Sequence, residues 1–94
     1  MVFYANMIMK IKSRQYFNMY TNAMQRAFRS ITPPSNFSVD IIDNEHFLSI
    51  RANESKFMIL DEFEKRRAIE YMVKVKKALE DNGAIVILVR EAVK

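Results

Sequence analysis

Residues 7–12 read Met-Ile-Met-Lys-Ile-Lys, so Met7, Met9 and Ile11 alternate with Ile8, Lys10 and Lys12. A period of two is the signature of a half-buried strand. From Ser13 the spacing changes. Phe17, Tyr20, Met24, Ala27/Phe28 and Ile31 recur every three or four residues, and Ser13 stands where an N-cap belongs, which predicts a helix over 14–30. Thr32-Pro33-Pro34-Ser35-Asn36 ends it, because proline disfavours helical geometry in the residue before it and has no backbone N–H. Phe37, Val39 and Ile41 then alternate with Ser38 and Asp40. After Asp43-Asn44-Glu45, which supplies turn chemistry, Leu48 and Ile50 alternate with Phe47, Ser49 and Arg51. This pattern predicts a β-hairpin built from 37–42 and 46–52.

Residues 56–60, Lys-Phe-Met-Ile-Leu, carry no decisive period and fit either a short extra strand or the approach to a helix. Asp61 and Glu64 have capping-box spacing, and Ala68, Tyr71, Met72, Val75, Ala78 and Leu79 form an apolar stripe that closes near Gly83, the only glycine. Residues 84–89 are apolar at every position and read as a last strand. One domain over 1–94 in the order strand, helix, strand, strand, helix, strand is an α+β, ferredoxin-like split βαβ arrangement. It implies a four-stranded antiparallel sheet with two helices on one face. A fifth strand at 56–60 is one alternative. If residues 1–12 were irregular or helical, the remaining α-β-β-α-β order would be KH-like or BolA-like.

Charge adds what the pattern does not carry. Residues 1–39 hold Lys10, Lys12, Arg14, Arg26 and Arg29 and no carboxylate, whereas 40–94 hold all 11 acidic residues against ten basic ones, so the net +4 arises at the front. A field of one sign attracts polyanions and does little to specify a fold. The absence of cysteine removes disulfides, thiol nucleophiles and thiolate metal sites, and fits a reducing, cytoplasmic setting. Met1 to Met9 is apolar but interrupted by Asn6 and closed by Lys10, too short for a membrane span and without the basic start of a signal peptide. Abundant Met, Ile, Asn, Lys, Phe and Tyr beside scarce Gly, Pro and Trp match AT-rich coding, as in a phage or low-GC bacterium.

Catalytic chemistry is weakly represented. A single glycine excludes the P-loop and the dinucleotide fingerprint, so no small-molecule cofactor is expected. His46 has no His or Cys partner in the sequence and reads as a turn-flanking imidazole, so no metal site is expected either. Asp40/Asp43 flank a turn and Asp61/Glu64 have a capping role, which leaves neither pair free for acid–base work.

The expected role is therefore that of a small non-enzymatic regulatory or accessory protein. In a split βαβ domain the sheet face turned away from the helices is an open platform. Alternation assigns Ile8, Lys10, Lys12, Asp40, Ile42, Phe47, Ser49, Arg51, Val86, Leu88 and Arg90 to it, and Met7, Met9, Ile11, Leu48, Ile50, Ile85, Ile87 and Val89 to the helix side. A cationic sheet bearing an aromatic resembles, in topology and charge, the RNA recognition motif, where bases stack on strand aromatics and Lys or Arg neutralise phosphates. That family's glycine and interleaved aromatics are missing from 46–52. Lys10, Lys12, Arg14, Arg26, Arg29, Phe47 and Arg51 are the candidate contacts to nucleic acid or to an acidic protein surface. Ile8, Ile42, Val86 and Leu88 form a patch too apolar to stay wet and are the candidate interface of a homodimer. In that second reading the chain is a protein-interaction module, an inhibitor or adaptor, with no membrane role.

Overall fold

The computed structural model describes residues 2–30, 32, 37–43 and 46–93, and for 88–93 the backbone alone. It is an α+β domain with elements β1 (Val2–Lys10), α1 (Arg14–Ser30), β2 (Val39–Asp43), β3 (Phe47–Ala52), α2 (Glu54–Met58), α3 (Glu62–Asp81) and β4 (Val86–Val93). The strands form one antiparallel sheet in the order β2-β3-β1-β4. β1 and β2 consequently run in the same direction, with β3 between them.

The first strand starts earlier and ends earlier than the 7–12 alternation predicts. Phe3, Ala5, Met7 and Met9 are all buried, a run of four alternate positions facing the helices. Ile11 and Lys12 lie beyond the strand, in the connection to α1. There the Ile11 N–H donates to the His46 carbonyl at 2.7 Å. The Ser13 carbonyl accepts from the Phe17 N–H at 3.1 Å, so the helix begins where the sequence places it. Phe37 is buried but precedes β2, which is shorter than 37–42 at its front. The proline break at 33–34 and the turn at Asn44-Glu45 lie outside the described residues.

Residues 54–58 settle as a short helix rather than a strand. The Asn53 side chain accepts from the Lys56 N–H at 3.0 Å, and the single buried side chain, Phe57, anchors the turn. Its ring stacks on Phe3 with centroids 4.0 Å apart and planes 4° from parallel. Phe3 meets Phe37 edge-on at 6.0 Å, Phe37 meets Tyr71 at 6.0 Å and 88°, and Tyr71 stacks on Phe28 at 5.3 Å. These five rings tie α2, β1, the approach to β2, α3 and α1 into one end of the core. The rest of the core includes Tyr20, Met24 and Ala27 of α1 and Ala68, Ile69, Met72, Val75 and Leu79 of α3, set against Met7, Met9, Leu48 and Ile50.

Asp61 caps α3 by accepting from the Glu64 N–H at 2.8 Å, as its spacing predicts. At the other end Gly83 adopts φ +88°, its N–H donates to the Glu80 carbonyl, and the Ala84 N–H donates to the Leu79 carbonyl. This is a Schellman stop, which needs a left-handed residue. The last strand then starts at Val86 rather than at residue 84.

Over residues 85–88 the assignment of faces is reversed relative to the alternation expected from sequence; past the register shift at Asn6/Met7, Arg90 takes the register position opposite Asn6. Val86 pairs with buried Met9 and packs on the core, while Ile87 pairs with Ile8 and is 54% exposed. Ile85 is exposed as well. Leu88 occupies the register position opposite Met7, so its backbone shares the parity of Val86. Because residues 84–89 are apolar at every position, alternation alone cannot say which parity faces inward; the pairing with β1 decides it.

Candidate functional site

The candidate residues divide between the two sides of the sheet. On the side away from the helices, Lys10 stands opposite Phe47, and Arg51 stands between Asn6 on β1 and Asp40 on β2. Phe47, Arg51 and Lys10 are exposed, and the Ser49 hydroxyl donates to the Asn6 amide oxygen at 3.5 Å between them. Lys12 does not join this face, since it lies past the end of β1.

Lys12 and Arg14 instead meet at the start of α1. Ile11, Lys12, Ser13, Arg14 and Phe17, with Asp43 and His46 from the β2–β3 end, line a cleft of about 580 Å³. The Lys12 ammonium is 5.9 Å from the Tyr16 ring and the Arg14 guanidinium 5.6 Å from the Phe17 ring, so both cations lie against the aromatics of the first turns. No carboxylate occupies the first turn of α1. The positive end of the helix dipole therefore adds to two cations, and among the described residues that line the cleft Asp43 is the one carboxylate.

Arg26 lies farther along α1, in a second cleft of about 380 Å³ between the two long helices. Its lining includes Ser30 of α1 and Lys74, Lys77, Asp81 and Asn82 of α3. Three cations face one carboxylate there. Arg29 is exposed in the last turn of α1. Lys76 belongs to a different arrangement, salt-bridged to Glu80 at 3.0 Å.

The structure thus brings together Lys12 with Arg14, and Lys10 with Phe47, and separates Arg51 from Arg26 and Arg29 by the thickness of the sheet. Lys74 and Lys77 are additions that the sequence reading did not single out. The signal was available: both lie on the polar arc of α3 beside Ala78, and two amphipathic helices packed antiparallel on one sheet must bring such arcs into contact.

Burial raises the pKa of Tyr71, and burial together with the neighbouring Tyr16 phenol raises that of Tyr20. Neither phenol lines a cleft. Among the described residues no three His, Asp or Glu side chains are grouped to hold a metal ion, and no helix is long and apolar enough to cross a membrane. No protein-family model matches the chain, and no curated protein matches it.

Proposed function

We propose that the protein is a small non-enzymatic accessory factor that binds a polyanion, nucleic acid in the first place, along α1. The observation that carries this reading is that α1 has no carboxylate and fronts a cation-lined cleft at each end, Lys12 with Arg14 at one and Arg26 with Lys74 and Lys77 at the other. An excess of one sign of charge in a cleft, two cations beside Asp43 at one end and three beside Asp81 at the other, focuses field lines and attracts counter-ions. The fold reading that accompanies the proposal is a split βαβ domain with α2 inserted before its second long helix. The order β2-β3-β1-β4, with β1 and β2 codirectional around β3, supports it.

The test is electrophoretic mobility of single-stranded RNA, single-stranded DNA and duplex with micromolar protein at low salt. A shift is expected, and Arg26→Ala with Lys77→Ala should weaken it across all sequences and flatten the salt dependence by about one unit per lost phosphate contact. Lys56→Ala on α2 is the control and should leave it unchanged. No shift on any of the three probes would discard the reading.

A second reading, a protein-interaction module acting as a homodimer, is favoured by the apolar residues exposed on the free sheet face. Light scattering tests it, with a dimer mass expected and a monomer mass at all concentrations against it. A nuclease-resistant pull-down of one stoichiometric protein would point to a further protein partner.

A further inference from the structure

The free face of the sheet has an order that composition conceals. Ile42 pairs with Ser49, Ser49 with Ile8, and Ile8 with Ile87, so one row of directly opposed residues crosses all four strands, apolar at three of its four positions. Directly opposed residues share a face. Ile42 is 42% exposed and Ile87 54%, at the two ends of this row. On one side of it lies the Phe47–Lys10 pair, on the other the Arg51–Asn6 pair, each with one member on β3 and one on β1.

That arrangement is self-complementary. We infer that a second copy of this chain stacks on this face, free face to free face, about a two-fold axis parallel to the strands and passing between β3 and β1. Such a rotation exchanges β2 with β4 and β3 with β1 while keeping each row over itself. Ile42 then meets Ile87 of the second copy, Ser49 meets Ile8, the Phe47 ring meets the Lys10 ammonium, and Arg51 meets the Asn6 amide oxygen. Apolar groups cover apolar groups at the two ends of the row, and each of these cations finds a ring face or an acceptor. Aligned sheets pack about 10 Å apart and rotated by about 30°, which displaces the central pairs least. Four strands about 4.8 Å apart and five paired rows about 3.4 Å apart give a flat contact of about 300 Å². Specific interfaces are usually larger, so the dimer dissociates on dilution.

This inference rests on the homodimer reading and is independent of the anion reading, because α1 lies on the opposite side of the sheet. The chain has no cysteine, so introduced thiols report on themselves alone. The experiment compares Ile42→Cys, Ile87→Cys and the double variant, each treated with a short bis-maleimide, beside light scattering of the unmodified protein over a concentration series. The proposal expects a concentration-dependent dimer, cross-linking of the double variant, and little in either single one, whose thiols would be about three strand spacings apart across the sheet gap. A dimer without preferential cross-linking of the double variant overturns the stacking and leaves the homodimer reading standing. A monomer at every concentration overturns both. Ile87→Asp, at an exposed position that folding does not need, should weaken the dimer about tenfold or more with unchanged circular dichroism. A dimer as tight as that of the unmodified protein would contradict the interface.

Discussion

Replacing Phe57 by alanine tests whether the five-residue α2 is a structural anchor or a surface turn. The side chain has no exposed surface and lies flat on Phe3 at 4.0 Å. Deleting a fully buried phenylalanine costs about 3–5 kcal/mol, combining lost transfer energy with the cavity left behind. A domain of this size holds roughly 5–14 kcal/mol in total. The substitution should therefore remove about a fifth of the stability or more. The cost would be smaller if α2 could peel away and leave the sheet folded, since local opening need not reach the global free energy. The ring network argues against peeling. Phe3 also meets Phe37, and Phe37 meets Tyr71 on α3, which stacks on Phe28 of α1, so a vacancy at residue 57 loosens the packing of β1, the approach to β2 and both long helices. Urea unfolding followed by far-ultraviolet circular dichroism measures the effect, and with a slope of about 1–1.5 kcal/mol per molar urea the midpoint should fall by roughly 2–5 M. Ile59→Ala, at a residue 83% exposed in the following turn, is the control and should stay within about 0.5 kcal/mol. A Phe57→Ala variant as stable as the control would refute the reasoning.

Other consequences follow from the helix ends and the core. Gly83→Ala should cost about 1–2 kcal/mol, because φ +88° is unfavourable for a residue with a Cβ even though nothing lies within 4 Å of it; Gly83→Asn should cost less, and equal denaturation midpoints for all three would contradict this. Asp61→Ala should cost about 1 kcal/mol through loss of the Glu64 N–H acceptor, with Asp61→Ser or Asn retaining most of it in the same assay. The raised pKa of Tyr71 means the folded state holds the phenol proton more tightly than the unfolded chain. Its contribution is complete below about pH 10 and is lost as pH rises through the folded value. Tyr71→Phe should thus flatten the fall of the urea midpoint above about pH 10, and an unchanged alkaline slope would count against burial as the cause.

Strong periodicity made most of the fold legible. The helix over 14–30, the Asp61 cap, the stop at Gly83 and the inward set Leu48 and Ile50 all follow from spacing and from the backbone demands of helix ends. The extension of β1 back to Val2 was harder to read, because Phe3 and Ala5 alternate with Val2, Tyr4 and Asn6, of which only Asn6 is clearly polar. α2 buries one residue and so has no period to detect. The inward parity of residues 84–89 is invisible in an all-apolar run, and it determines which side chains the free face presents: Ile87 belongs to that face, whereas Val86, a candidate interface residue, packs inward. Of the candidate site, the charge asymmetry was legible and the grouping was not. Lys12 and Arg14 converge because the chain turns from β1 into α1, and Arg26 meets Lys74 and Lys77 because two helices share one sheet, a long-range relation that spacing within α1 does not encode.

In the proposed function the cations of the helix layer act together on a polyanion. Fluorescence anisotropy of a labelled single-stranded oligonucleotide, titrated with protein over a series of salt concentrations, measures it most directly. The account predicts saturable binding at low salt, with the logarithm of the affinity falling linearly against that of salt at a slope of about −2 to −4, as about three to six neutralised phosphates require. Anisotropy that stays flat at low salt, or an affinity indifferent to salt, would contradict it.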